Sequence, residues 1–502
     1  MAKTPKAKTK AVKVNFHEQL ILNKWLWSKF NPNRLEGMKQ QLDHPQFEGV
    51  EHEGDNAGQT KFFSAISNTL FNKQVVDIDV LRRYDLNIVK HWQKITEKRN
   101  EIEGHVLNLK YFQYLSLLFT ELYLDQYFNH QADILNELNV ELEQYNDDQK
   151  SDAEQFQQYL PEDLNKIGYW NATGSGKTLL MHVNILQYLD YFQHQNGDST
   201  YPDQIILLTP NEGLSEQHLQ ELTDSGFQAT LFDKQKSRNS LYRDEIQIID
   251  MNKLSDTDGD KTVATMSLEG RNLVLIDEGH RGTSSSAGAW MERRDILTKD
   301  GFSFEYSATF GQAVSKADNV YKRFEDAKKQ KAKMLYGMAI NKLTEEQKKN
   351  IQLDDLEQQK YRREALREVY AKSILFDYSY KYFYADGYGK EVNILNMKEY
   401  HEDDERNLYL TACLLSFYQQ QYLFKKNQAK LAKFNIEKPL WVFVGNKVND
   451  DDSDILAIVK FLADFLDASR KSKVIGWLND LITNTSRLVD TNGINIFANR
   501  FA

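Results

Sequence analysis

Cysteine is almost missing from this chain: Cys413 is the single one in 502 residues. That excludes an internal disulfide framework and a cysteine-rich zinc site, and it fits a reducing, cytoplasmic compartment. Long apolar runs are missing too, since no stretch approaches the roughly 18 residues needed to span a bilayer. The opening "MAKTPKAKTKAVKVNF" has no apolar core behind its lysines, so no secretory signal and no membrane contact are expected. An excess of positive charge is also absent. Lys and Arg total 63 against 73 Asp and Glu, giving a formal net charge of −10. A protein that coats nucleic acid by bulk attraction is thereby excluded, and any contact with DNA has to be local.

An apolar content of 41% over 502 residues is enough for roughly two to four ordinary cores. Residues 1–15 read as a basic disordered tail. From 16 to 146 the pattern is helical and rich in aromatics. Its clearest helix is "LNLKYFQYLSLLFTELYLDQYF", where Leu107, Tyr111, Tyr114, Leu115, Leu118 and Leu122 recur on one face. The polar stretch 147–164 reads as an acidic linker. From 165 to 311 short apolar runs such as "IGYW", "IILLT", "NLVLID" and "FSFEYSAT" alternate with amphipathic segments. This predicts an α/β domain with a parallel sheet. Residues 312–370 read as charged helices. Strand-like "EVNILNM" and "KPLWVFVG" predict a second, incomplete α/β unit over 371–502.

The chemistry concentrates in "NATGSGKT". Glycines at 174 and 176 let successive backbone N–H groups of Thr173, Gly174, Ser175 and Gly176 face an anion-sized space. A helix N-terminus adds partial positive charge, Lys177 can reach β and γ phosphates, and Thr178 can ligate Mg²⁺. The loop is compressed relative to the strict eight-position form, with Ala172 leading one position late. A strand before it and a helix after it are the context that a phosphate loop requires. One hundred residues beyond Lys177, "NLVLIDEGH" delivers Asp277 and Glu278 to the C-terminal end of a buried strand, where open parallel sheets bind ligands. There Asp277 can hold Mg²⁺ through water and Glu278 can polarise the attacking water. The strand "FEYSAT" ends in Ser307 and Thr309, whose hydroxyls can bond His280 and the carboxylates.

With these elements in order, the chain resembles the superfamily 2 helicases and translocases with a DEAH-like box, specifically the members related to type III Res subunits. The matches are "ATGSGKT" for motif I, "LLTPNEGLSEQH" for Ia, "IQIIDMNKL" for Ib, "DEGH" for II and "SAT" for III. The resemblance implies a RecA-like fold, ATP and Mg²⁺ as cofactors, and DNA as partner. It further implies Gln113 as the upstream glutamine that selects adenine, and Thr209, Pro210 and Asn211 as DNA contacts. A methyltransferase, specificity or nuclease subunit is implied alongside. Gly279 departs mildly from the family's alanine. The family's second-domain element Gln-x-x-Arg-x-Gly-Arg does not occur in the sequence. Without such an arginine, hydrolysis is expected to be slower by roughly 10³ or more. An interrupted motor or a second polypeptide would account for that, and the ending "INIFANRFA" reads as interrupted.

The leading expectation is therefore an ATP-dependent DNA helicase or translocase of a restriction or phage-defence system. A nucleotide-binding regulatory module that never moves along DNA is the alternative, since a switch needs no arginine of its own. A small-molecule kinase would leave the Ia stretch and the histidine beside the carboxylates without a role.

Overall fold

The structure, a computed structural model, describes residues 15–67, 77–149, 155–233, 244–255, 262–278, 293–317, 320–363, 365–389, 396–397, 403–432, 436–443, 454–483 and 488–489. The chain divides into two compact units, Met1–Gly389 and Lys390–Ala502.

The first unit begins with helices: α1 (Ile21–Trp27), α2 (Leu35–Leu42), α3 (Lys61–Ala65), α4 (Ile78–Glu103), α5 (Tyr111–Asn129) and α6 (Gln131–Asp147). Local chemistry sets their ends. Asp77 caps α4 by accepting from the N–H groups of Asp79 and Val80, and Gly104 stops it in a left-handed conformation at φ 70°. Along α4, Leu81, Tyr84, Ile88, Trp92 and Ile95 recur every three or four residues and are buried. Helix α5 is more extreme. It starts at Tyr111, leaving Leu107 outside, and burial is unbroken from Tyr114 to Asp125. A helix apolar around most of its circumference belongs in the middle of a core, not on its surface.

Seven strands make one sheet: β1 (Lys166–Asn171), β2 (Ile205–Thr209), β3 (Ala229–Leu231), β4 (Ile246–Asp250), β7 (Leu273–Asp277), β8 (Phe302–Ser307) and β9 (Ile374–Tyr378). The two-residue strands β5 (Leu254–Ser255) and β6 (Val263–Ala264) pair separately. The order in the sheet is β3-β4-β2-β7-β8-β1-β9, with every neighbouring pair parallel. Parallel strands need crossovers, here α7 (Lys177–Asn196), α8 (Glu212–Asp224) and a helix over 293–297 (α9) among others. Strand β8 stands between β1 and β7, so the phosphate loop and the Asp277–Glu278 pair lie two strands apart with Ser307 between them. This is the mixed α/β, parallel-sheet architecture of a RecA-like domain, with helices ahead of it.

Three expectations about domain limits differ from what is observed. Residues 16–146 do not form a core of their own: one apolar cluster runs from Phe16 through α5 and the sheet to Tyr378. The stretch expected as a linker is pinned to that body. Phe156 and Tyr159 are buried, and the Tyr159 hydroxyl donates to the Lys372 carbonyl at 2.9 Å. The segment expected to open a second RecA-like domain at 371 instead supplies β9. This strand pairs with β1 through Gly168↔Ile374 and Asn171↔Tyr378. Ile374 to Tyr378 are all buried in the same apolar cluster as α1, α5 and β1, so the strand completes this sheet.

Between β8 and β9 run α10 (Phe310–Ala317), α11 (Val320–Tyr336), α12 (Glu345–Asn350), α13 (Asp355–Arg363) and α14 (Leu366–Ser373), and α15 (Tyr380–Ala385) follows β9. The second unit holds α16 (Asp403–Leu431), α17 (Asp454–Leu466) and α18 (Lys471–Thr483). They pack around Leu408, Phe461, Trp477 and Leu481, with β10 (Asn396–Met397) antiparallel to β11 (Leu488–Val489). Among its described residues there is no parallel strand pair, and 438–443 form no strand. No described helix is long and apolar enough to cross a membrane.

Candidate nucleotide site

The site forms where β1 leaves the sheet. The Ala172 N–H donates to the Tyr378 carbonyl at 2.9 Å, which ties the loop's first residue to β9. The chain then turns tightly, with Ser175 N–H donating to Ala172 O at 3.2 Å. Gly174 and Gly176 have φ of 88° and 87°, a region that L side chains rarely adopt, so these two positions need glycine. Helix α7 starts at Lys177 with Gly176 in the capping position and no side-chain cap. Its first N–H groups are therefore left for something other than a cap, and the helix dipole favours an anion there. Thr173 and Gly174 are exposed, Ser175 is buried, and Thr178 is half-buried in the first turn.

Opposite the loop, Lys177 Nζ pairs with Glu278 Oε1 at 2.6 Å, each side chain 14% exposed. The other carboxylate oxygen, Glu278 Oε2, accepts from Ser307 Oγ at 3.0 Å, and Ser307 Oγ accepts from the Thr309 N–H at 3.0 Å. The three sequence elements thus form one chain of contacts: loop lysine, strand-end glutamate, Ser-Ala-Thr serine. Glu278 adopts φ 53°, rare for a residue with a side chain, and is held there as its N–H donates to Tyr306 O at 2.8 Å.

Asp277 takes a different partner. Its Oδ2 lies 3.0 Å from Nε2 of His218, a 5% exposed residue on α8. His218 closes the quoted "LLTPNEGLSEQH", yet nothing in the spacing marked it as the carboxylate's neighbour. His280, expected beside Ser307, lies outside the described residues, as does Gly279.

Gln113 is brought to the loop across 62 residues of sequence. Its Nε2 donates to Ser175 O at 3.0 Å, and its Oε1 accepts from the Lys110 N–H at 3.0 Å. It also stands so close to Gly176 that a Cβ there would lie 2.5 Å from Gln113 Nε2.

The Ia residues separate. Thr209 is fully buried, with Oγ1 2.6 Å from Ser215 Oγ, so its hydroxyl braces the start of α8 and does not face outward as expected. Asn211 is exposed and caps α8, its Oδ1 accepting from Leu214 N–H at 3.0 Å. Pro210 is half-buried, and its carbonyl accepts from Asn252 Nδ2 at 3.5 Å.

One support was invisible in the sequence. His17 stacks on Trp170 with ring centroids 4.3 Å apart, and its Nδ1 lies 2.5 Å from Asp377 Oδ2. Trp170 Nε1 in turn donates to Ala308 O at 3.2 Å. An N-terminal residue, β1, β9 and the Ser-Ala-Thr turn are thereby fastened together.

No cluster of three or more His, Cys, Asp or Glu suited to a metal occurs among the described residues. A divalent cation here would depend on one hydroxyl, one carboxylate and the oxygens of a bound nucleotide, the donor pattern of Mg²⁺.

Residues 126–312 match the family model described as type III restriction enzyme, res subunit. No curated protein matches the chain. The matched span contains the phosphate loop, Asp277, Glu278 and Ser307. The chain therefore carries, over residues 126–312, a domain of the type III restriction enzyme res-subunit family, helicase-like ATPases of restriction systems in keeping with helicase superfamily 2.

Proposed function

We propose that this chain is the ATP- and Mg²⁺-dependent motor of a DNA restriction or phage-defence system, a helicase or translocase working in the cytoplasm. The observation that carries the reading is the contact chain from Lys177 through Glu278 to Ser307 at the C-terminal edge of the sheet. Open parallel sheets bind ligands at that edge, and the uncapped start of α7 lies beside it.

In this reading the loop N–H groups cradle the phosphates, and Lys177 leaves Glu278 to neutralise the β and γ oxygens. Glu278, released, orients the attacking water and accepts its proton. Ser307, bonded to Glu278, registers whether that carboxylate faces Lys177 or the water, which couples the site to Thr309 and the segment beyond. Thr178 and Asp277 would hold Mg²⁺, which supplies charge neutralisation when bound. Among the described residues, the bonds of Gln113 to Ser175 O and from the Lys110 N–H leave one N–H and one lone pair to meet an adenine edge. DNA would contact Pro210 and Asn211 at the start of α8. A methyltransferase, specificity or nuclease subunit would complete the system.

The test is single-turnover ATP hydrolysis by the full chain, with and without single- and double-stranded DNA. DNA should accelerate it, Lys177→Ala should abolish it, and Glu278→Gln should retain ATP binding without hydrolysis. Equal rates with and without DNA would remove translocation and leave the nucleotide-dependent switch.

A further inference from the structure

The turn that closes the first unit presents an exposed aromatic ring, Tyr388, one side chain away from the 174–176 loop. After α15, Gly387 turns the chain at φ 82° and the Tyr388 N–H donates back to Phe383 O at 3.1 Å. The turn is tightly built, since a Cβ on Gly389 would lie 2.6 Å from Tyr384 Cδ2.

Three neighbours locate the Tyr388 ring. Phe112, the residue before Gln113, meets it edge-on with centroids 6.0 Å apart. Phe383, 5.5 Å from Tyr388, reaches the phosphate loop: a Cβ on Gly174 would lie 3.4 Å from Phe383 Cζ. Burial, with the carboxylates of Asp43, Glu48 and Asp386 near by, holds the Tyr388 phenol above its ordinary value; Glu48 in turn pairs with Lys110 Nζ at 2.7 Å, and the Lys110 N–H donates to Gln113. Tyr388 thus packs on the residue before Gln113 and is separated from the 174–176 turn by the single ring of Phe383. It is 41% exposed, whereas the Phe112 and Tyr378 rings behind it are buried and stacked at 3.8 Å. An exposed aromatic ring backed by a buried aromatic pair is suited to taking a flat partner on its open side.

We propose that Tyr388 stacks on the nucleobase of a purine nucleoside triphosphate whose phosphates lie on the 174–178 loop. The proposal rests on the nucleotide-binding reading above and adds to it the residue that holds the base. Every base has a π face, so stacking on Tyr388 favours adenine and guanine alike, and discrimination between them falls to the remaining donor and acceptor of Gln113. The base would be held by a segment more than two hundred residues downstream of the loop, beyond the span matched by the res-subunit family.

The experiment is calorimetric titration of the full chain with ATP, GTP and inorganic tripolyphosphate, each with Mg²⁺. Tyr388→Ala should weaken ATP and GTP about five- to hundredfold, the range for losing one aromatic–base stack. It should leave tripolyphosphate affinity unchanged, and Tyr388→Trp should restore nucleotide binding. Lys177→Ala should weaken all three ligands. Unchanged ATP affinity in Tyr388→Ala, with Lys177→Ala still weakening ATP, would overturn the stacking role alone. Equal losses of ATP and tripolyphosphate in Tyr388→Ala would also overturn it, because the ring would then serve the loop and not the base. A wild-type chain that binds none of the three would overturn the nucleotide reading itself.

Discussion

Adding one methyl group at Gly176 tests how the phosphate loop is held. Gly176 sits at φ 87°, where an L side chain costs about 1 kcal/mol or slightly more. The new Cβ would lie 2.5 Å from Gln113 Nε2, far inside contact distance. The far end of a glutamine can swing away, but doing so breaks the 3.0 Å bond from Nε2 to Ser175 O, worth about 1 kcal/mol net. Gly176→Ala should therefore cost about 2 kcal/mol in the full chain, read as the shift of the first-unit transition in urea. The two parts can be separated. In a Gln113→Ala background the clash and the bond are both gone, so only the backbone part, about 1 kcal/mol, should remain. A coupling of about 1 kcal/mol in the double-mutant cycle is the expected result. Strict additivity of the two changes would refute the packing of Gln113 on the loop.

Two further predictions concern the frame beneath the site. A Cβ on Gly301 would fall 2.1 Å from Asn272 O and 2.6 Å from Asn272 N, and both backbones are fixed by the 2.8 Å bond from Phe302 N–H to Asn272 O. Gly301→Ala should force β7 and β8 apart and cost about 3 kcal/mol, the upper end for overpacking. An unchanged urea midpoint would contradict the strand register. Glu121 is fully buried between α4, α5 and α7 and accepts from Asn87, Gln187 and Tyr191, yet burial pushes its carboxyl up to about 7. Its folded value lies above its ordinary 4.5, so the stability it contributes is complete below that value and is lost as pH rises through 7. The loss amounts to about 3 kcal/mol. Glu121→Gln should flatten the decline between pH 5 and 8 in thermal melts, and an identical pH profile would count against it.

Much of the candidate nucleotide site can be read from neighbouring residues. Two left-handed glycines before a helix, and two carboxylates after four buried apolar residues, are local patterns, and the structure brings Lys177 and Glu278 within 2.6 Å of each other. The order of strands is not local. "ILFDY", not among the strand-like runs read from the sequence, is a strand in the structure. Its place beside β1 follows from a two-sided apolar slot made by residues near 20, 115 and 170, which no periodicity within the segment records. The same holds for His218 and Asp277, which are 59 residues apart and adjacent only because β2 and β7 are neighbours. Thr209, at a strand end, is expected from the sequence to contact DNA through its hydroxyl. A serine six residues on, one turn into α8, draws it inward.

Ancestry and foldability do not share boundaries in this chain. The span 126–312 that matches the res-subunit family begins inside α5 and ends inside α10. Excised along those limits, it would lose β9, and β1 would become an edge strand directly beneath the phosphate loop, its unpaired amides open to another copy. It would also lose most of α5 and all of α4, whose side chains fill one face of the sheet's flank. The span matched by the family is thus shorter than the packed body around it. The difference is supplied by sequence on both sides, so the boundaries of the matched span are poor places to cut this chain.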